Sequence, residues 1–400
     1  MKRGIRAISC ALAGAMLLGL GAVPAAGEET AAETSATAEQ QSAALPVEVK
    51  AKSAILMDLN TGKILMAQNE HEKMAPASVT KIMTLLLIAE AIDAGEIART
   101  DVVTASTEAS QKGGSQIWLK EGEQMTVDEL LRATAIASAN DASTALAEHL
   151  CGSEQAFVDQ MNKRAGELGM ADTHFENCTG LDDTAVDHVT SAYDIAVMSR
   201  ELMLHHSWIQ EYTTVWMDSL REGATQLVNT NKLVRFYSGA TGLKTGTTAK
   251  AGSCLSATAT RENTSLVAVV MGCATSNDRF EGAKAMLNWG FSNYELFTPE
   301  IDLTQIAPVN VVSGVEETIL PSVSAVEPIL IPKGAQAKIV QKIELAVDVE
   351  APVEAGQVLG EVRLELDGEA VGTYSLIAPQ AVKEMNFWSA MKKFFQSMAR

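Results

Sequence analysis

The sequence predicts an α+β fold, an antiparallel sheet flanked by helices, followed by a small all-β domain and a C-terminal amphipathic helix. Three observations carry this reading. A strand hairpin, several buried helices and a late pair of apolar strands occupy the chain to about residue 298. Short alternating stretches rich in Val, Ile, Gly and Pro follow from Ile301 to Ala378. The last twenty residues repeat aromatic and Met side chains at helical spacing. A chain of 400 residues, 47% of them apolar, has room for two or three domains and a substantial core.

The elements follow in order. Met1-Lys2-Arg3, an apolar run through Ala22 and the small residues Ala25-Ala26 form the three parts of a secretory signal, placed at 1–26. Cys10 leaves with it. Residues 27–45, rich in Ala, Glu, Thr and Ser without apolar periodicity, read as a flexible leader. The main domain spans 46–298 and opens with a hairpin, Ser53–Leu59 and Lys63–Ala67 around the turn Asn60-Thr61-Gly62. After Pro76, the run Ile82–Ala91 reads as a buried helix. Thr126-Val-Asp-Glu129 is a capping box that starts a helix running to about Ala137. Another helix runs from Ala142 to Leu150, with Gly152 placed to end it. Strands return at Leu243 and at Ser253–Thr260, and Leu266–Met271 is apolar enough to be buried on both faces.

The small β domain is placed at 299–379 and the terminal helix at 380–400. Met385, Phe387, Trp388, Met391, Phe394, Phe395 and Met398 form one face of that helix, with Lys383, Lys392, Lys393 and Arg400 interleaved. Such a helix suits an anionic membrane surface, which it would lie on rather than span; docking on its own protein is the alternative.

Composition excludes some classes. A net charge of −19 argues against nucleic acid as a partner, because phosphate recognition needs a basic face. Cys151, Cys178, Cys254 and Cys273 show no zinc-ligand spacing, so no metal or other cofactor is expected. Cys254 and Cys273 lie on neighbouring strands, where they could pair or stay as free buried thiols. His71, His149, His174, His205 and His206 show no ligand spacing either.

Three short motifs carry chemistry. In Ser78-Val-Thr-Lys81, a spacing of three puts both side chains on one helical face, so a neutral Lys81 amine can take the Ser78 proton during attack on a carbonyl. A Ser78 in the first helical turn also aims free N–H groups at an oxyanion. In Ser138-Ala139-Asn140, the Ser138 hydroxyl can pass protons, while the Asn140 amide can hold the lysine and accept from a substrate amide. Each pattern alone arises about once by chance in a chain this long. In Lys244-Thr245-Gly246, a strand lysine and threonine can hold a carboxylate, Gly246 lets substrate approach the backbone, and Thr247 offers a second oxyanion N–H. That tripeptide arises by accident only about once in ten such chains.

Taken together, the three motifs resemble those of penicillin-binding proteins and β-lactamases. With Thr179-Gly-Leu-Asp182, His188 and Gly242–Thr248 added, the chain from about Leu45 onward is similar to the D-alanyl-D-alanine carboxypeptidases, the low-molecular-weight penicillin-binding proteins of peptidase family S11. Two positions depart from that family's usual pattern: Thr247 stands where many members have His or Tyr, and Ala139 where they usually have Gly.

The resemblance implies a penicillin-binding/β-lactamase-like fold and an exported enzyme at the outer face of the cytoplasmic membrane. Its substrate would be the peptidoglycan stem peptide, cleaved through a Ser78 acyl-enzyme, with β-lactams as inhibitors. It implies Ser78, Lys81 and Ser138 as catalytic residues, and Asn140, Lys244, Thr245 and Thr247 as substrate-binding ones. Burial and the charge of Lys244 would lower the Lys81 pKa. His188 suits a structural hydrogen bond better than catalysis. A β-lactamase needs a deacylating acid, and Glu176, the acid just before Asn177-Cys-Thr-Gly180, lies in an unsuitable context. A non-catalytic cell-wall or β-lactam sensor is the other alternative.

Overall fold

The computed structural model describes residues 45–183 and 185–398. The signal expected at 1–26, and the leader expected at 27–45 apart from its last residue, lie outside the described residues.

A five-stranded antiparallel sheet organises the main domain. Its strands are β1 (Ser53–Asp58), β2 (Ile64–Gln68), β3 (Ala240–Thr248), β4 (Gly252–Arg261) and β5 (Thr264–Cys273), in the order β2-β1-β5-β4-β3. The hairpin turn is fixed where the sequence places it, with the Asp58 carboxylate accepting from Thr61 N at 2.7 Å. Alternation along β5 sends Val267, Val269 and Met271 into one core layer and Leu266, Ala268 and Val270 into the other.

The larger layer holds α1 (Lys81–Asp93), α2 (Val127–Ile136), α3 (Asn140–Cys151), α4 (Glu154–Glu167) and α5 (Ala192–His205). The opposite face is covered by α6 (Ser276–Asn293). The Thr126–Glu129 capping box is present, and Gly152 ends α3 at a φ of 79°. Helix α3 begins two residues earlier than its apolar pattern suggests, which puts Asn140 on its first turn. Helices α5 and α6 have no counterpart in the reading of the sequence.

Cys254 and Cys273 fall into different core layers, and both thiols are free. Cys273 pairs in register with Ser253, so Cys254, one residue on, faces the other way.

Beyond α6 the described chain forms strands and two short 3-10 turns until its last helix. β6 (Tyr294–Phe297) pairs with β8 (Ile329–Pro332), and β7 (Val309–Val312) pairs in parallel with β10 (Asp348–Glu350). β9 (Val340–Leu345), β11 (Val358–Leu366) and β12 (Glu369–Ile377) form an antiparallel sheet over Ile331, Val362, Leu364 and Leu376. The last helix, α7 (Phe387–Met398), exposes Phe387 and Trp388. No helix among the described residues is long and apolar enough to cross a membrane.

Candidate active site

Ser78 does not lie in the first turn of α1. It sits in a separate 3-10 turn, Ala77–Thr80, that leads into the helix. Ala77 takes the left-handed conformation, with φ at 50°. This sharp entry keeps Ser78 and Lys81 together: Lys81 Nζ lies 3.1 Å from Ser78 Oγ.

Two carbonyl-type oxygens hold the same amine more tightly, Asn140 Oδ1 at 2.6 Å and the Thr179 backbone oxygen at 2.7 Å. Asn140 is fastened in turn, its Nδ2 donating to Gly113 O at 2.6 Å and its backbone N to Ser115 O at 2.7 Å. No carboxylate pairs with Lys81 among the described residues. Burial therefore dominates and lowers its pKa to about 7, against weaker upward pulls from Cys178 and Asp141.

Lys244 lies on β3, fully buried, and donates to Ser138 Oγ at 2.9 Å and Thr245 O at 3.0 Å. Burial pushes its pKa down first, and the charges of Lys81 and Arg279 add to that. Ser138, itself left-handed at φ 61°, bonds to Lys244 and makes no described bond to Lys81. Thr245 Oγ1 donates to Thr230 Oγ1 at 2.7 Å, and Thr247 is exposed at the end of the strand.

Gly246 also makes a close contact within the protein. A Cβ there would lie 2.8 Å from Pro76 O and 3.0 Å from Ser78 N, so the glycine lets β3 lie against the Ser78 turn itself. Arg279 of α6 donates to Gly246 O at 2.9 Å and to Thr247 Oγ1 at 2.8 Å, tying down this end of β3.

Several residues near the site have no part in the three motifs. Gly180, at φ 82°, presses on the turn so closely that a Cβ would lie 1.8 Å from Ala77 O. A bond chain runs beside it. Glu176 N donates to His188 Nδ1 at 2.9 Å, which leaves His188 Nε2 as the N–H facing Thr80 Oγ1 at 2.8 Å, and Thr80 Oγ1 donates to Ala77 O at 2.9 Å. Burial lowers the His188 pKa to about 4, so the ring is neutral and the chain keeps its direction. Glu176 is occupied on its own loop, accepting from Asp187 N at 3.2 Å. Among the described residues it makes no bond to Ser78 or Lys81.

The arrangement joins a hydroxyl, a lysine with a pKa near neutrality and a second buried amine on the neighbouring strand, and comparison with known proteins agrees with that chemistry. Residues 36–275 match the family described as D-alanyl-D-alanine carboxypeptidase, Peptidase_S11. Residues 304–384 match the penicillin-binding protein 5 C-terminal domain. The chain is 43% identical to D-alanyl-D-alanine carboxypeptidase DacF of Bacillus subtilis, over 86% of this chain and 89% of that protein. It is 33% identical to DacA of Escherichia coli, over 88% of each.

The crystal structure of penicillin-binding protein 5 from Haemophilus influenzae superposes with a TM-score of 0.77 at 32% identity, covering 85% of this chain and 99% of that one. Penicillin-binding protein D2 of Listeria monocytogenes, solved in its ampicillin-bound form, matches at a TM-score of 0.54 and 29% identity, over 61% of this chain and 99% of that one. The chain belongs to the D-alanyl-D-alanine carboxypeptidase family of serine peptidases, S11, and carries that family's penicillin-binding fold and C-terminal β domain.

Proposed function

We propose that Ser78 is the nucleophile of this carboxypeptidase, Lys81 its base and Lys244 the anchor for the substrate's terminal carboxylate. The observation that carries the reading is the set of distances around Lys81 Nζ. A neutral amine has two N–H groups and one lone pair. Asn140 Oδ1 and Thr179 O, at 2.6 and 2.7 Å, take the two hydrogens, and the lone pair is left for the Ser78 hydroxyl at 3.1 Å.

The steps then follow. Ser78 Oγ attacks the carbonyl carbon of the penultimate D-Ala in a peptidoglycan stem peptide while its proton passes to Lys81. The backbone N–H groups of Ser78 and Thr247 stabilise the oxyanion; the close approach of Gly246 to Ser78 N supports this pairing. The C–N bond breaks, and the proton goes to the amine of the departing D-Ala. Water then attacks the ester, Lys81 takes a proton from it, and Ser78 is restored.

Ser138, bonded to Lys244, orients the carboxylate-binding amine and gives the returning proton a path. Thr245 adds a hydroxyl for the carboxylate, and Asn140 holds Lys81 in line. A bound carboxylate supplies the opposite charge that no side chain among the described residues gives Lys244. β-Lactams, which carry a carboxylate beside a strained amide, acylate the same serine; the ampicillin-bound Listeria relative supports this.

The purified protein, freed of residues 1–26, should release D-Ala from diacetyl-L-Lys-D-Ala-D-Ala, and Ser78→Ala should abolish release. Release that persists in the variant would remove Ser78 from its role.

The division at 46–298, 299–379 and 380–400 completes the proposal, with 1–26 directing export and the terminal helix holding the enzyme on the outer face of the cytoplasmic membrane. Exposed Phe387 and Trp388 on α7 and the interleaved lysines of the sequence support this anchor. Deleting 383–400 should release the protein from membranes with its activity kept, and a truncated form that still pellets with membranes would exclude the helix as anchor.

A further inference from the structure

Trp118 combines three properties that the fold alone does not require. Its indole is 77% exposed, its backbone is left-handed at φ 61°, and its neighbours Ile117 and Leu119 are buried. A bulky residue rarely adopts that conformation unless its surroundings enforce it.

Here they do. Ile117 N and Leu119 N both donate to the buried Asp141 carboxylate, at 3.1 and 3.0 Å, and Ile117 O accepts from Arg221 Nη1 at 2.8 Å. Two and four residues earlier, Ser115 O and Gly113 O accept from Asn140. The segment is therefore fastened by Asn140, which holds Lys81, and by the residue after it. Only two residues lie between Ser115 and Trp118, so at most about 11 Å of chain separates the indole's backbone from the residue bonded to Asn140. An exposed aromatic on a backbone fastened this way, close in the chain to the partners of Asn140, has the character of a binding anchor, because its backbone is ordered before anything binds.

We propose that Trp118 is a specificity-determining residue whose indole face forms an apolar platform, at the Asn140 end of the cleft, for the aliphatic side chain of the residue preceding D-Ala-D-Ala. The proposal rests on the carboxypeptidase reading above. A flat indole suits a methylene chain laid along it, and a glycine at that substrate position leaves the platform uncovered.

The test compares two substrates within each enzyme, so that a loss of folded protein cancels. Wild type should show a kcat/KM for D-Ala release about 10-fold higher with diacetyl-L-Lys-D-Ala-D-Ala than with acetyl-Gly-D-Ala-D-Ala. Trp118→Ala should bring that ratio close to one, and Trp118→Phe should keep most of it. A wild type without the preference, or a Trp118→Ala enzyme that retains it, would overturn the platform. A wild type that releases D-Ala from neither peptide overturns the activity reading and the platform with it.

Discussion

On the helical wall of the cleft, Lys81 meets three oxygens, while on the sheet wall Lys244 meets two and feels the charge of Arg279. Both amines are buried, and neither has a carboxylate partner among the described residues. Burial alone would treat them alike. The difference lies in what each set of oxygens leaves open. Around Lys81 the two shortest contacts use up the N–H groups of a neutral amine and turn its lone pair to Ser78. Around Lys244 a hydroxyl and a carbonyl leave N–H capacity over, in a place where the cation is disfavoured until an anion arrives. On the proposed reading, two lysines of equal burial serve as a base and as an anion trap.

The strongest way to break this contrast is Lys81→Met, which keeps an unbranched stem and removes the amine. Acylation by a fluorescent penicillin should slow by about 10³-fold or more. Lys244→Ala should lower kcat/KM about 10²-fold for a peptide ending in a carboxylate, and far less for the same peptide ending in an amide. Equal losses on both peptides would mean that Lys244 acts other than through the carboxylate.

Glycines sharpen the contrast between the walls and the rest of the fold. Gly180→Ala must displace the Ala77 carbonyl and should cost about 3 kcal/mol or more by denaturant unfolding, with penicillin labelling lost in step. Gly152→Ala, where an added Cβ meets nothing within 4 Å, should cost only about 1 kcal/mol.

The smallest expected effect is a pH slope. Folded His188 resists protonation down to about 4, whereas an unfolded histidine takes its proton near 6.5. The unfolded state therefore binds more protons between these values, and stability falls as pH drops through the window, by about 2 kcal/mol at pH 5. His188→Asn should flatten that slope whatever it does to stability at neutral pH.

Much of the cleft was legible because its chemistry resides in side chains at fixed short spacings. Ser78 with Lys81, Ser138 with Asn140, and Lys244 with Thr245 are local patterns. The capping box at Thr126 and the helix stop at Gly152 were legible for the same reason. What the sequence hid is non-local or made of backbone. The third oxygen at Lys81 is the carbonyl of Thr179, a group that any residue supplies. Arg279 braces β3 from 33 residues away.

Helix α6 escaped notice because Gly282 and Gly290 dilute its pattern. Gly290 is there for close packing, since a Cβ would lie 2.6 Å from Leu266 Cδ1. The role assigned to Gly246 shows the same limit. A glycine announces a close approach without saying which part of the chain makes it.

If Lys81 acts as a neutral base, the rate of Ser78 acylation by a penicillin, followed from pH 5 to 10, should rise through a midpoint near 7, and that limb should be gone in Lys81→Met. A wild-type rate that stays flat across the range, or a limb that survives in Lys81→Met, would contradict it.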